Sequence, residues 1–218
     1  MALRFIPSQT AVSADSSDCI VVGMFADKRF SPSGVAVDAA SAGRLSALAE
    51  RGDITGKTGH TLLLQDVPGM ASPRVLVVGL GDAAKFAVPQ YLKAIADAVR
   101  FLRNCPGKSA TITLTDLAVQ GRDADWAVRQ AVIAADHAAY EYTATRSKKS
   151  AVTLSEVNLT VTDAGLEALR QGEAIAAGVQ FTRELGNLPP NICNPAYLAE
   201  QAITLAAEHD NVSCEVLE

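Results

Sequence analysis

The segment Gly52–Thr58, with the sequence GDITGKT, contains the residue types of a phosphate-binding loop. In such loops backbone N–H groups surround the phosphates, while the lysine and the hydroxyl residue contact phosphate and Mg²⁺. The spacing here is GxxxGKT, one residue shorter than the usual pattern. A predicted helix precedes the loop and a predicted strand follows it, the reverse of the usual order. Both differences favour a polar turn over a nucleotide site.

Gly79-Leu80-Gly81 follows an apolar run, as the first two glycines of a dinucleotide-binding fingerprint do. Ala84 stands at the position of the third glycine, where the fingerprint tolerates alanine. The fingerprint also needs an acidic residue after a second strand about 20 residues further on. That region, Phe101–Asn104, is predicted to be helical instead. We therefore interpret the motif as a glycine turn, with Asp82 near the start of the next helix.

The titratable residues that bind metals or act as nucleophiles are scattered along the chain. The sequence has no HExxH motif, no GxSxG elbow and no CxxC pair. The histidines are His60, His137 and His209, and the cysteines are Cys19, Cys105, Cys193 and Cys214. Widely spaced cysteines predict reduced thiols. Carboxylates after strands are interpreted as turn residues, namely Asp66, Asp116 and Asp163. We assign no catalytic, metal-binding or substrate-binding residue.

Composition and charge exclude several classes of protein. The 218 residues are 49% hydrophobic and 20% charged, which is enough apolar material for a globular core. A net charge of −5 gives no electrostatic reason for strong binding to nucleic acid or to a membrane. No apolar run approaches the roughly 20 residues of a membrane span, and the N-terminus lacks a secretory pattern. These features predict a cytoplasmic location.

Basic residues cluster at one place, Arg146, Lys148 and Lys149. The cluster follows a predicted helix, and cations are favourable near a helix C-terminus because of the helix dipole. Nucleic-acid contact is the alternative function for this cluster.

Periodicity predicts alternating strands and helices up to residue 163. A strand buried on both faces is expected at Asp18–Phe25, a second central strand at Arg74–Leu80 and a further strand at Thr61–Val67. Alternating strands are expected at Ser109–Thr115, which would be half-exposed, and at Glu156–Thr162. Helices are expected at Val35–Glu50, from Pro89 to Leu102, and from a cap at Asp123 to about Thr145. Such alternation favours an α/β sandwich with a mixed, mostly parallel sheet between helices.

The pattern changes in the last quarter of the chain. A long helix is expected from Ala164 to Leu188, ended by Pro189 and Pro190. Asn194-Pro195 has the residues of an N-cap and first helical position, and a new strand is expected at Val212–Val216. A helix and one strand cannot bury their apolar faces alone, so we expect an incomplete second domain. The predicted domains are 1–163, a linker helix 164–188, and 189–218.

The junction Phe181–Ala199, FTRELGNLPPNICNPAYLA, resembles the corresponding segment of the cytosol (leucyl) aminopeptidase family. The resemblance is carried by Arg183-Glu184-Leu185, Asn187, Pro189, Pro190-Asn191 and Asn194-Pro195. It covers the whole chain, more weakly up to about Val161. In that family the segment links a non-catalytic N-terminal α/β domain to a two-metal peptidase domain.

The resemblance implies that the intact protein removes N-terminal residues from peptides, leucine among the preferred ones. It implies two divalent cations, Mn²⁺ or Zn²⁺, bound in the C-terminal domain and outside this segment, and assembly into a homo-hexamer. Peptide substrates would be bound through that missing domain. The present segment would then be structural and inactive alone.

Two alternatives remain open at this point. The domain could be a DNA-contacting regulatory module of the same family, with basic patches such as Arg146–Lys149 gathered in the hexamer. It could also be a free-standing nucleotide-binding α/β domain.

Overall fold

A computed structural model describes residues 3–147 and 152–217, and its centre is a six-stranded sheet. The strand order is β1-β6-β5-β2-β4-β3. The strands are β1 Arg4–Ser8, β2 Ile20–Phe25, β3 Thr61–Gln65, β4 Arg74–Gly81, β5 Ser109–Ile112 and β6 Glu156–Thr160. The β3–β4 pair is antiparallel and the other pairs are parallel. The predicted mixed, mostly parallel α/β sheet is confirmed.

Six α-helices accompany the sheet within the described residues. They are α1 Pro32–Ala40, α2 Arg44–Arg51, α3 Val88–Leu102, α4 Ala124–Ala139, α5 Leu166–Asn187 and α6 Pro195–Glu208. Two predicted caps are present: the side chain of Asp123 accepts from Trp126 N, and that of Asn194 accepts from Tyr197 N. Each cap satisfies a backbone donor that has no partner within its own helix.

The chain divides into two compact units. The first contains the described residues up to Tyr140 together with those from Val152 to Ala176, and holds the whole sheet. The second contains the described residues 141–147 and those from Ala177 onward. The boundary falls inside α5, whereas the sequence predicts boundaries at 163 and 188. Those domain limits stay a prediction.

The first unit has a hydrophobic core on each face of its sheet. Successive residues of β2 alternate between the two cores, because side chains of a strand point to opposite faces. Residues of α3, α4 and the start of α5 line one core, and residues of α1 and α2 line the other. On the first face the Tyr91 hydroxyl donates to Ala127 O at 2.8 Å. A Cβ on Gly172 would lie 2.8 Å from Val132 Cβ, so α5 approaches α4 closely there.

Several element boundaries differ from the prediction. The helix expected at Val35–Glu50 is two helices, because Ala42 and Gly43 have φ values of 53° and 80°. Strand β1 was missed, and α4 ends at Ala139 rather than near Thr145. The residues 212–217 form no strand in the described structure, so the prediction for Val212–Val216 was wrong. A strand needs a neighbour to accept and donate its backbone hydrogen bonds.

The segment Ser109–Thr115 differs most from its prediction. Only its first four residues form a strand, and a 3₁₀ turn at Leu114–Asp116 follows. Its threonines, expected on an exposed face, are buried: Thr111 is 3% exposed and Thr113 is 1% exposed. Periodicity correctly separates the two faces of this strand, but the polar face is covered by another part of the chain.

Candidate functional site

The two glycine motifs pack against each other at the carboxyl ends of β2 and β4. Gly81 N donates to Gly56 O, and Gly79 N donates to His60 O, both at 2.8 Å. A Cβ on Gly79 would lie 2.0 Å from Lys57 O, which explains the glycine by close backbone approach. These N–H groups bond to carbonyls of the protein. The interpretation of both motifs as turns agrees with this geometry.

The three carboxylates singled out in the sequence lie in separate turns. Asp66 has a φ of 50° after β3, and its backbone N donates to Pro73 O. Asp163 begins a 3₁₀ turn and accepts from Gln9 Nε2 at 2.6 Å. Asp116 lies in the turn after β5. The prediction that they are turn residues is confirmed, and the structure does not bring them together as an acid/base pair.

The strand order places a topological switch point between β2 and β5. These strands are parallel neighbours, but the chain leaves β2 towards β4 and leaves β5 towards β6. In open α/β sheets ligands bind near such a switch point. A cavity of about 330 Å³ lies on the β5 side of it, between the segment 10–15, the start of α1 and the ends of strands β5 and β6. We call it the switch-point crevice.

A hydrogen-bonded group of polar side chains forms one wall of the switch-point crevice. The Thr111 hydroxyl donates to Asp15 Oδ2 at 2.8 Å and lies 3.0 Å from the Ser17 hydroxyl. Ser17 N donates to Asp15 Oδ1 at 2.9 Å, and Asn158 Nδ2 donates to Thr111 Oγ1 at 3.2 Å. Asp15 is 6% exposed and Ser17 is 7% exposed. The group therefore lies away from bulk water.

Asp116 joins this region to α1. Ser33 N, at the start of the helix, donates to Asp116 Oδ2 at 2.7 Å. Burial raises the pKa of Asp116, because the ionised carboxyl loses hydration there, and the bond from Ser33 opposes that rise. Asp116 Oδ1 and Asn158 Oδ1 are buried acceptors without a hydrogen-bond partner in the described structure. Both residues are bonded to lining residues of the crevice, Ser33 and Thr111, but are not themselves in its lining.

The sequence contains few signals from which this site could be predicted. Asp15 lies in a polar segment before β2 and has no motif around it. The alternating threonines of Ser109–Thr115 were a signal, because a polar strand face can be buried under a polar loop as well as exposed to water.

The remaining candidate residues stay apart. Within residues 3–147 and 152–217, no group of three His, Cys, Asp or Glu residues is placed to hold a metal ion. The four cysteines are free, and burial raises the pKa of Cys19 to about 12, so its thiol is protonated. None of the described helices is both long and apolar enough to cross a bilayer.

The predicted basic cluster lies partly outside the described residues, which include Arg146 but neither Lys148 nor Lys149. Arg146 pairs with Glu141, with Nη1 2.7 Å from Oε1. An exposed cation with an acidic neighbour contributes less positive potential to the surface than a lone cation does.

The second unit contains the proline elbow. Ile192 N and Cys193 N both donate to Pro189 O at 2.9 Å, which closes a turn that includes Asn191. Asn194 then caps α6, and Pro195 occupies its first turn. The expected cap at Asn194 agrees with this geometry, and Asn191 lies in the turn before it. Helix α6 has no buried residue, and Leu198 and Ile203 are 45% and 53% exposed.

Comparison with known proteins assigns the chain a clear set of relatives. Residues 21–149 match the model of the N-terminal domain of the cytosol aminopeptidase family. A probable cytosol aminopeptidase of Stenotrophomonas maltophilia is 57% identical over 218 residues, all of this chain and 44% of the relative. One from Xanthomonas oryzae is 54% identical over the same share, and one from Xylella fastidiosa is 51% identical over 220 residues. The chain spans less than half the length of these relatives.

Solved structures give the same fold at lower sequence identity. A mutant of tomato leucine aminopeptidase superposes with a TM-score of 0.75 and 23% identity, covering 96% of this chain and 43% of the tomato chain. The bottromycin maturation enzyme BotP superposes with a TM-score of 0.69 and 23% identity, over 88% of this chain and 37% of BotP. BotP has also been solved in complex with Mn, and that structure gives a TM-score of 0.68.

Proposed function

Because the chain belongs to the cytosol aminopeptidase family, we propose that the complete protein is a metal-dependent aminopeptidase that releases N-terminal residues from peptides, leucine among the preferred ones. The observation that carries the proposal is the match of all 218 residues to 44% of the length of proteins named probable cytosol aminopeptidase. The matched family model is that of the N-terminal domain, which supports an N-terminal place for this chain in the complete protein.

The proposed chemistry uses two divalent ions, Mn²⁺ or Zn²⁺, bound outside this segment. Two-metal sites bind the substrate and generate a nucleophile from a bound water at neutral pH. The described residues of this chain do not fit such a site, since they bring no three metal-ligating side chains together. We therefore assign no catalytic step to them. A structure of a fold relative with Mn supports the metal dependence.

The role that we propose for this chain is structural. The sheet and its helices form a folded body, and α5 precedes the proline elbow in the chain. The elbow is held by the two bonds to Pro189 O and by the Asn194 cap, so its backbone conformation is restrained. Such a connector suits a fixed junction between a peripheral domain and a catalytic one.

An assay that compares two chain lengths tests the proposal. We expect the intact protein to hydrolyse leucine p-nitroanilide with Mn²⁺ and to lose that activity in a chelator. The 218-residue segment alone is expected to show none. Hydrolysis by the segment would contradict its structural role, and an intact protein without metal-dependent activity would contradict the assignment as an aminopeptidase.

The proposal extends to a cytoplasmic homo-hexamer. Light scattering on the intact protein measures its mass directly, and a monomer would contradict the assembly. DNA contact is an alternative with less support, because Arg146 already has an acidic partner. A mobility-shift titration over a salt series tests it, since binding through phosphates weakens steeply with salt. Calorimetric titration with ADP-ribose or NAD tests the alternative of a free-standing nucleotide-binding domain.

A further inference from the structure

Asp15 is a buried carboxylate whose hydrogen-bond donors are all neutral. It is 6% exposed, and it accepts from Ser17 N at 2.9 Å and from the Thr111 hydroxyl at 2.8 Å. In the described part of the chain no lysine, arginine or histidine forms an ion pair with it. Aspartate is rarely buried this deeply without a paired charge, because the loss of hydration is costly. The carboxylate of Asp15 thus has neutral hydrogen-bond donors but no cationic side chain beside it among the described residues.

The space beside that carboxylate is the switch-point crevice. Asp15 lines the crevice, together with the hydroxyl residues Ser13, Ser33, Thr111 and Thr113. A volume of about 330 Å³ is far larger than a metal ion needs. Asp15 is also the only carboxylate in its lining, whereas hard cations take six or more oxygen ligands, commonly from several carboxylates. The crevice therefore suits an organic cation rather than a bare metal ion.

The same crevice is unsuited to phosphate. None of the residues that line it is lysine, arginine or histidine. The helix N-terminus at its edge is also occupied, since Ser33 N donates to Asp116 and Gly34 N donates to the Ser31 hydroxyl at 3.2 Å. A phosphate would meet the carboxylate of Asp15 without a compensating cation. A nucleotide is thus disfavoured at this switch point, although the topology alone would suggest one.

We propose that the switch-point crevice binds a small organic ligand that carries a primary ammonium group. An ammonium has three donors and no acceptor, which matches a lining of one carboxylate and several hydroxyl oxygens. One donor would reach Asp15, and the others would reach threonine and serine hydroxyl oxygens. Hydrogen bonds between ionised groups are about twice as strong as neutral ones, so the ammonium–Asp15 contact would dominate the affinity. This site is separate from the proposed peptidase chemistry and does not depend on it.

Amide NMR of the ¹⁵N-labelled chain, titrated with ethanolammonium chloride at neutral pH, tests the proposal. We expect saturable shifts at the amides of Ser17, Ser33 and Thr113. Sodium chloride at equal ionic strength and ethylene glycol, a neutral molecule of similar size, serve as controls and should not reproduce them. The absence of saturable shifts, or equal shifts with ethylene glycol, would overturn the proposal.

Two variants locate the binding. Asp15→Asn keeps the shape of the side chain and removes its charge, so we expect affinity to fall about tenfold or more. Asp53→Asn is the matched control, because Asp53 is an exposed acid paired with Arg51, and it should bind as the parent does. Unchanged affinity in Asp15→Asn would show that the carboxylate is not the ligand.

Ala36→Leu keeps the test decisive if Asp15→Asn does not fold. Ala36 is exposed on α1 and lines the crevice, so a leucine there fills the space and leaves Asp15 intact. We expect a native-like spectrum and no saturable ethanolammonium shift. Parent-like binding by a folded Ala36→Leu variant would place the ligand elsewhere and overturn the assignment.

Discussion

The face of the sheet that carries α1 has two halves that are differently built. On β2 and β4 the buried residues are Ile20, Val22, Val75 and Val77, each at most 1% exposed, and they pack against α1 and α2. On β5 and β6 the corresponding positions are Thr111 and Asn158, joined to Asp15 and Ser17 by hydrogen bonds. The first half excludes water by apolar packing. The second half keeps polar groups around a cavity, the arrangement expected of a binding site.

The largest expected effect is in the apolar half. Leu45 is 0% exposed on α2, so Leu45→Ala should lower the free energy of unfolding by about 2–5 kcal/mol through lost burial and a residual cavity. Chemical denaturation of the chain measures it. Val35→Ala is the control, since Val35 is 57% exposed on α1 and should change stability by no more than about 0.5 kcal/mol. Similar losses of stability in both variants would mean that burial of apolar side chains does not stabilise this half of the sheet.

A smaller loss is expected in the polar half. Thr111→Val keeps the shape of the residue but removes the donor to Asp15 and the acceptor for Asn158. Leaving buried polar groups without a partner should cost about 1–3 kcal/mol. Thr111→Ser keeps the hydroxyl and should recover most of that loss in the same denaturation experiment. A valine variant as stable as the parent would show that hydrogen bonding does not hold this half together.

The smallest effect is a pH dependence of opposite sign for two carboxylates. Burial raises the pKa of Asp116, so its ionisation opposes folding at neutral pH, and that cost disappears as the pH falls through the raised value. Asp116→Asn, whose amide oxygen still accepts from Ser33, should therefore gain stability over the parent at neutral pH and lose that advantage in acid.

Asp18, which lies just before β2, is the carboxylate to compare with Asp116. The backbone N–H groups of Lys108 and Ser109 donate to it and lower its pKa. Its stabilisation is present above the pKa of an unfolded aspartate and is lost as the pH falls through the lowered value. Asp18→Asn should thus be less stable than the parent at neutral pH and approach it in acid. Unfolding measured over a pH series contradicts the comparison if both variants change in the same direction.

Part of the architecture could be predicted because it is local. The uninterrupted apolar runs of β2 and β4 identify strands buried on both faces. The caps at Asp123 and Asn194 are likewise predictable, since each side chain bonds to a backbone N–H only three residues ahead. These features depend only on residues that are near one another in the sequence, so a short sequence pattern is enough to predict them.

Other features depend on residues that lie far apart in the chain. Strand β1 is not predicted from the sequence, because its five residues form a strand by pairing with β6, as Phe5 does with Val157. The threonines of Ser109–Thr115 are misassigned to an exposed face for the same reason. Nothing within that segment tells whether the Thr111 hydroxyl will meet water or Asp15.

The sequence by itself determined the α/β class, the main strands and the junction by which the family can be identified. These features follow from hydrophobic periodicity, helix-capping residues and a local sequence motif, all of which are present in short segments. Only the tertiary structure decided that two glycine motifs pack against each other as turns, and that a buried carboxylate faces a crevice between α1 and strands β5 and β6. Burial and charge pairing arise when distant segments meet, and no short stretch of sequence records which segments those will be.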